Sequence, residues 1–205
     1  MRSKALDMFL QSPTILILMA LVIVVLLLYW DIRERSASRA NKKQSRHTPA
    51  AQRGIRVLFP LLGMILVAQL LGIQIGSLAV PRGLSLTLAA FGHVLFWGGI
   101  LLALWARETL GHNWAHAADY QVVPGQQLVV YGPYRFSRHP IYTGLLLMFI
   151  GVELVVHSWL VIFAIPLFFF LRWQAGREEH LLLKTFGDPY STYMQNTGCL
   201  FPRSI

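Results

Sequence analysis

The sequence predicts an all-α fold, a polytopic membrane helix bundle of about five transmembrane helices, with a short helical hairpin at 141–173 and a polar C-terminal region on the cytoplasmic side. Three observations carry this reading. Of 205 residues, 55% are apolar and only 13% charged, against about 45–50% and about 25% in an ordinary soluble domain. The mean hydropathy is +0.53. The apolar residues gather into runs long enough to cross a bilayer core, which takes roughly 20 helical residues. A single cysteine, Cys199, excludes a disulfide scaffold, and the lack of low-complexity tracts excludes a disordered or collagen-like chain. Lys and Arg number 18 against 9 Asp and Glu. The apolar runs leave too little chain for a soluble basic domain, so no nucleic-acid partner is expected.

The first span is 13–30, PTILILMALVIVVLLLYW, uncharged, with proline at its start and an aromatic pair at the far interface. Asp31-Ile32-Arg33-Glu34-Arg35 follows where a signal peptide would place small residues, so the span is read as uncleaved. The second span, 57–80, carries Gly63, Gly72 and Gly76, which suit close helix contact. The third, 84–106, holds His93. The stretch 141–173 is too long for one crossing, about 50 Å as a single helix, and His157-Ser158 lies at its centre. Two short helices, 141–156 and 159–173, are therefore expected, as a tight or partly re-entrant hairpin. The chain then divides into N-terminal spans, 1–106, with a basic loop at 31–56, and a C-terminal region, 107–205.

Charge orients these spans. One side carries Arg33, Arg35, Arg39, Lys42, Lys43, Arg46, Arg53 and Arg56, then Arg107, Arg135 and Arg138, then Arg172, Arg177, Lys184 and Arg203. The other carries Arg2, Lys4 and Arg82. Fifteen against three is a strong positive-inside bias. It puts the N-terminus outside and the C-terminus in the cytoplasm, in the inner or plasma membrane if the cell is bacterial. The basic loop is explained as a topology signal in contact with anionic lipid.

Two polar segments can carry chemistry. Residues 106–140 are dense in Gly, Pro, Tyr, His and Arg, and end in Arg138-His139-Pro140 at the start of the hairpin. After the hairpin, an amphipathic helix is expected to stop near Gly187-Asp188-Pro189. It opens with Glu178-Glu179, a carboxylate pair whose mutual repulsion near lipid needs an explanation. His112 and His116 stand i,i+4 apart, but no third ligand lies at a useful spacing, and no metal is expected.

The segments read together are specific. Gly132-Pro133-Tyr134-Arg135 precedes Arg138-His139-Pro140-Ile141-Tyr142-Thr143-Gly144. Then come the hairpin, Glu178-Glu179 with Leu182 and Phe186-Gly187, and finally Tyr190 and Tyr193. Over roughly half the chain this resembles the isoprenylcysteine carboxyl methyltransferases and their relatives, the phospholipid N-methyltransferases. The resemblance implies an S-adenosyl-L-methionine site in a cytoplasmic C-terminal region. It assigns to the cofactor Gln126, Gln127, Leu128 and Val129, Tyr134, His139, Pro140, Ile141 and Tyr142, and Glu178 as the matching glutamate; the adjoining Arg138 and Glu179 are counted with the cofactor site. Gln126 replaces a family histidine. Gln174 falls where the family has a substrate-linked arginine, and Arg172 and Arg177 are the nearby cations, so these three are the candidate acceptor residues.

Physical chemistry supports the implied site. Arg138, His139 and Tyr142 offer donors for the cofactor carboxylate at a helix N-terminus. Glu178 can accept from ribose hydroxyls or the ammonium, and Tyr134 with Leu128-Val129 can pack the adenine. Glu179 is expected to serve the helix itself, if the chain breaks near Gly176 and leaves it in a first turn. Methyl transfer needs alignment and a water-poor pocket more than acid–base groups. The expected acceptor is a membrane lipid or lipid-like molecule methylated at a carboxylate, amine or thiol, with room for it at Gly98-Gly99 and Gly144. Two other readings stay open: an NADPH-dependent membrane reductase of related architecture, and a non-enzymatic membrane protein.

Overall fold

The computed structural model describes residues 9–40, 50–113 and 127–203. Their regular structure is helical: α1 (Pro13–Ala40), α2 (Ala50–Leu70), α3 (Arg82–Leu110), α4 (Pro140–Val155), α5 (Ala164–Phe186) and α6 (Asp188–Asn196). Short 3-10 turns occur at Gly111–Asn113, Gly132–Arg135 and Trp159–Phe163. Three stretches are long and apolar enough to cross a membrane, Pro13–Ile32, Gly83–Leu110 and Trp159–Phe186, while Phe59–Leu70 and Pro140–Val155 are shorter apolar helices. The chain forms two compact units, one of Met1–Ala90 with Val155–Trp159, the other of Phe91–Leu154 with Leu160–Ile205.

In the first unit α1 packs on α2, and Gly63 makes the approach close. A Cβ added there would stand 2.8 Å from a Leu27 methyl. The expected second span is corrected at both ends, because α2 begins at Ala50 and stops at Leu70. Gly72 and Gly76 are not helix-contact residues. They take φ of 97° and 72°, the left-handed region that glycine enters without steric cost, and they turn the chain out of the helix. Polar groups stabilise that turn: Gln69 Nε2 donates to the Ile75 carbonyl at 3.1 Å and to Ser158 Oγ at 3.3 Å. The Leu78 N–H bonds to the His157 carbonyl at 2.8 Å, and the Trp159 N–H to that of Gly76 at 2.9 Å. His157, at φ 52°, ends the first arm of the hairpin where the polar dipeptide predicted a break.

In the second unit α3 and α4 meet backbone to backbone. A Cβ at Gly99 would lie 2.5 Å from the Gly144 carbonyl oxygen, and one at Gly151 would lie 2.5 Å from the Phe96 nitrogen. Small residues permit this approach, as in membrane helix pairs generally. The space expected for an acceptor at Gly99 and Gly144 is therefore filled by each glycine's partner helix. The second arm of the hairpin also differs from expectation. After the 3-10 turn, α5 runs unbroken from Ala164 to Phe186, past Trp173 and through Gly176, and ends at Gly187. The membrane helix and the amphipathic helix are one rod, so Glu178 and Glu179 sit mid-helix rather than in a first turn.

Candidate functional site

The site is built where the start of α4, the middle of α5 and the segment after α6 converge. Proline at the second position of the Gly132–Arg135 turn fixes its entry. Residues 137–139 then run extended beside residues 198–199, a bridge pairing Ser137 with Gly198 in parallel. The Arg138 N–H donates to the Gly198 carbonyl at 2.9 Å and the His139 N–H to that of Cys199 at 3.0 Å. Ser137 Oγ donates to the Cys199 carbonyl at 2.9 Å. Pro140, which has no N–H to lose, opens α4. One turn in, Thr143 Oγ1 donates to the Leu200 carbonyl.

These contacts present Arg138, His139 and Tyr142 to α5. The His139 ring lies between the two glutamates, Nδ1 at 3.4 Å from Glu178 Oε2 and Nε2 at 3.3 Å from Glu179 Oε1. Adjacent helical residues point about 100° apart, but an imidazole carries a nitrogen on each edge, so both carboxylates reach it. The Tyr142 hydroxyl donates to Glu178, and the Tyr142 ring stacks on His139 with centroids 5.6 Å apart. Gln174 Nε2, one turn before Glu178, donates to the same carboxylate at 3.2 Å. Arg138 Nε donates to Glu179 Oε1 at 2.7 Å, and its Nη1 donates to the Met194 carbonyl at 3.0 Å and to the Thr197 carbonyl.

Exposure separates the two glutamates. The Glu178 side chain keeps 20% of its surface and that of Glu179 only 6%. Glu178 is thus the carboxylate a ligand can reach, and Glu179 is the internal one. Its expected service to a helix N-terminus is corrected, since α5 has no break at Gly176 and the carboxylate is spent on Arg138 and His139. Burial works against charge on His139, yet the two carboxylates outweigh it and hold its pKa above the ordinary histidine value. Arg138 is likewise held above its ordinary value, burial notwithstanding, by Glu179.

The remaining expected residues are placed as follows. Val129 and Tyr134 are buried with Ala106, with Leu110 and Ile141 packed against them, forming an apolar wall beside the polar cluster. Burial pushes the Tyr134 phenol up. Leu128 is half-buried, and the Gln127 N–H is bound by Asn113 Oδ1 at 2.8 Å. Gln126 and His116 lie outside the described residues. Gln174 is 1% exposed, Arg172 is exposed, and the Arg177 guanidinium lies 4.9 Å from the Trp173 ring centre.

Sequence reasoning reached Tyr190 and Tyr193 but missed what the stretch after them does. Tyr190 is fully buried, and Tyr193 donates to the Tyr134 carbonyl at 2.6 Å. Residues 194–200 supply backbone carbonyls to Arg138, His139 and Thr143, and a carbonyl has no side-chain signature to find. Cys199 brings its sulfur within 4.8 Å of the ligating atoms of His139 and Glu179. By residue type these three could hold a soft divalent ion. Arg138 already lies on the same Glu179 oxygen, however, and burial raises the Cys199 thiol to about 11, so this cluster is suited to hydrogen bonding.

The phospholipid methyltransferase family model matches residues 87–189. The chain belongs to that family. Isoprenylcysteine O-methyltransferases are similar over part of its length. The Tribolium castaneum enzyme is 32% identical over 106 residues, 51% of this chain and 38% of its own. The Saccharomyces cerevisiae enzyme is 32% identical over 47% of this chain and 41% of its own, and the Arabidopsis thaliana B enzyme 29% identical over 51% and 54%. The matched stretch thus spans about half the length of these relatives or less. A solved structure of the eukaryotic intramembrane Ras methyltransferase ICMT (isoprenylcysteine carboxyl methyltransferase) aligns with 96% of this chain and 71% of that one, at a TM-score of 0.50 and 21% identity. This likeness bears on the fold. The family match ends at residue 189, so the carbonyls that fasten Arg138 and His139 come from beyond it.

Proposed function

We propose that this chain is an integral membrane S-adenosyl-L-methionine-dependent methyltransferase, acting on a lipid-like acceptor at the cytoplasmic face. The observation that carries the reading is the half-buried Glu178 carboxylate, flanked by His139, Tyr142 and Gln174 and set beside the apolar wall of Val129 and Tyr134. The donor set fits the cofactor. Glu178, held in place by Tyr142 and His139, accepts from its ribose hydroxyls or ammonium, and Tyr134 with Leu128 and Val129 packs its adenine. When bound, S-adenosyl-L-methionine supplies a methyl group in one displacement, an acceptor lone pair forming the bond to carbon as the carbon–sulfur electrons leave with sulfur. The chain's own part is to bind, align and exclude water, for which a fixed, half-buried pocket suffices.

Similarity to isoprenylcysteine O-methyltransferases suggests a lipid-modified acceptor. Gln174 argues against a free carboxylate as the methylated group, since this neutral amide, already bound to Glu178, offers no charge to pair with one. An amine or thiol acceptor suits it better. The fifteen-to-three charge split supports the cytoplasmic assignment. The reading is tested on detergent-solubilised protein, where S-adenosylhomocysteine should raise the melting temperature and NADPH should not. At 100 times its dissociation constant a ligand stabilises by about 2.7 kcal/mol. Stabilisation by NADPH alone would favour a reductase.

A further inference from the structure

Among the residues expected at the cofactor site, Arg138 is set apart by what its donors bind. Its side chain is buried, as is that of His139, and its described donors are directed inward, Nε to Glu179 and Nη1 to the carbonyls of Met194 and Thr197. Its own N–H is bound by the Gly198 carbonyl. Arg138 therefore ties three pieces of chain together: the start of α4, the middle of α5, and the segment beyond the family-matched residues. Glu179 in turn faces the Nε2 edge of His139.

We propose that Arg138 is a positioning residue of the methyl-donor site, a latch that joins the 194–200 segment to Glu179 and so sets the carboxylate that orients His139, without itself contacting the donor. This rests on the methyl-donor reading above. The physical case is that an anion ligand needs donors directed at the pocket, whereas these are spent on a buried carboxylate and two backbone carbonyls. Removing them takes the guanidinium partner from all three acceptors and leaves Glu179 with His139 alone. Through Glu179 the latch also sets the charge balance at His139. The groups facing that ring are Glu178 and Glu179 from α5, Tyr142 from α4, the adjoining Arg138, and Cys199 from the C-terminal segment.

The test uses the full chain with Arg138→Gln and Arg138→Lys. Calorimetric titration is done with S-adenosylhomocysteine and with 5′-methylthioadenosine, which lacks the amino-acid carboxylate and ammonium. A latch predicts that Arg138→Gln weakens both ligands by a similar factor, about tenfold, with Arg138→Lys recovering part of each. Loss confined to S-adenosylhomocysteine would make Arg138 a carboxylate ligand and overturn the proposal. A second readout needs no ligand. In the free protein, removing the guanidinium leaves Glu179 unneutralised, so the imidazole titration of His139, followed by NMR, should move up by about one unit in Arg138→Gln and less in Arg138→Lys. An unmoved midpoint in either folded variant also overturns the latch. Failure of the parent to bind either ligand would instead refute the methyl-donor reading, leaving the titration to decide the role of Arg138.

Discussion

His139 is held by carboxylates on both ring edges, and the two should respond differently to substitution. Glu178→Gln should cost cofactor affinity, about 1.5–3 kcal/mol for a lost charge-assisted bond, while lowering the unliganded melting temperature less than Glu179→Gln does. Glu179→Gln should mainly destabilise the fold, on the order of 2–3 kcal/mol, because it leaves the buried Arg138 without its counter-charge. Thermal unfolding and calorimetric titration of both variants measure the contrast, and equal losses of affinity with equal melting temperatures would refute it. His139 also gives stability a pH dependence. Its folded pKa lies above the ordinary 6.5, so the protonated ring is favoured in the fold. The stability it contributes is complete below 6.5 and is lost as pH rises through the elevated folded value. The melting temperature should fall over that interval, and His139→Gln should remove this part of the fall.

At the scale of elements, the contact between α3 and α4 is made by glycine, and side-chain volume should be intolerable there. Gly144→Val would press a Cβ to 2.5 Å from the Gly99 carbonyl oxygen and 2.9 Å from the Ala103 Cβ, so a loss of about 1–3 kcal/mol is expected from overpacking. Gly98, one residue from Gly99, has nothing within 4 Å of an added Cβ. Gly98→Ala should be neutral or stabilising, since alanine is the better helix former. Denaturation of the two variants in the same detergent decides it; a tolerated Gly144→Val would mean that the helices do not touch at this point. Sequence could not choose between Gly98 and Gly99, because both lie in one apolar run and only the facing helix tells them apart.

Across the whole molecule, charge and helix length together predict a topology. The chain before Arg82 and the chain after Leu110 flank a stretch long enough to cross the membrane. In a Cys199→Ser background, Arg135→Cys should react with an impermeant maleimide only once the inner face is opened. Ile73→Cys, in the exposed turn after α2, should react in intact cells. Labelling with the reverse pattern would invert the orientation and place the candidate site outside.

The helical class, the long apolar stretches at 13–30 and 84–106 and the break at His157-Ser158 were determined by the sequence itself, because apolar length and a polar interruption are local properties that bilayer thickness converts into structure. The pairing of the His139 and Tyr142 motif with Glu178 was legible as well, once a hairpin had to return the chain to one face. Three matters were decided only by tertiary structure. The end of α2 at Leu70 depends on Gln69 reaching Ile75 and Ser158, and the latter is distant in the chain. The continuity of α5 through Gly176 gave Glu179 an interior partner instead of a helix end. The fastening of Arg138 and His139 by residues 194–200 rests on backbone carbonyls, which every residue carries, so only the folded chain shows which of them are used.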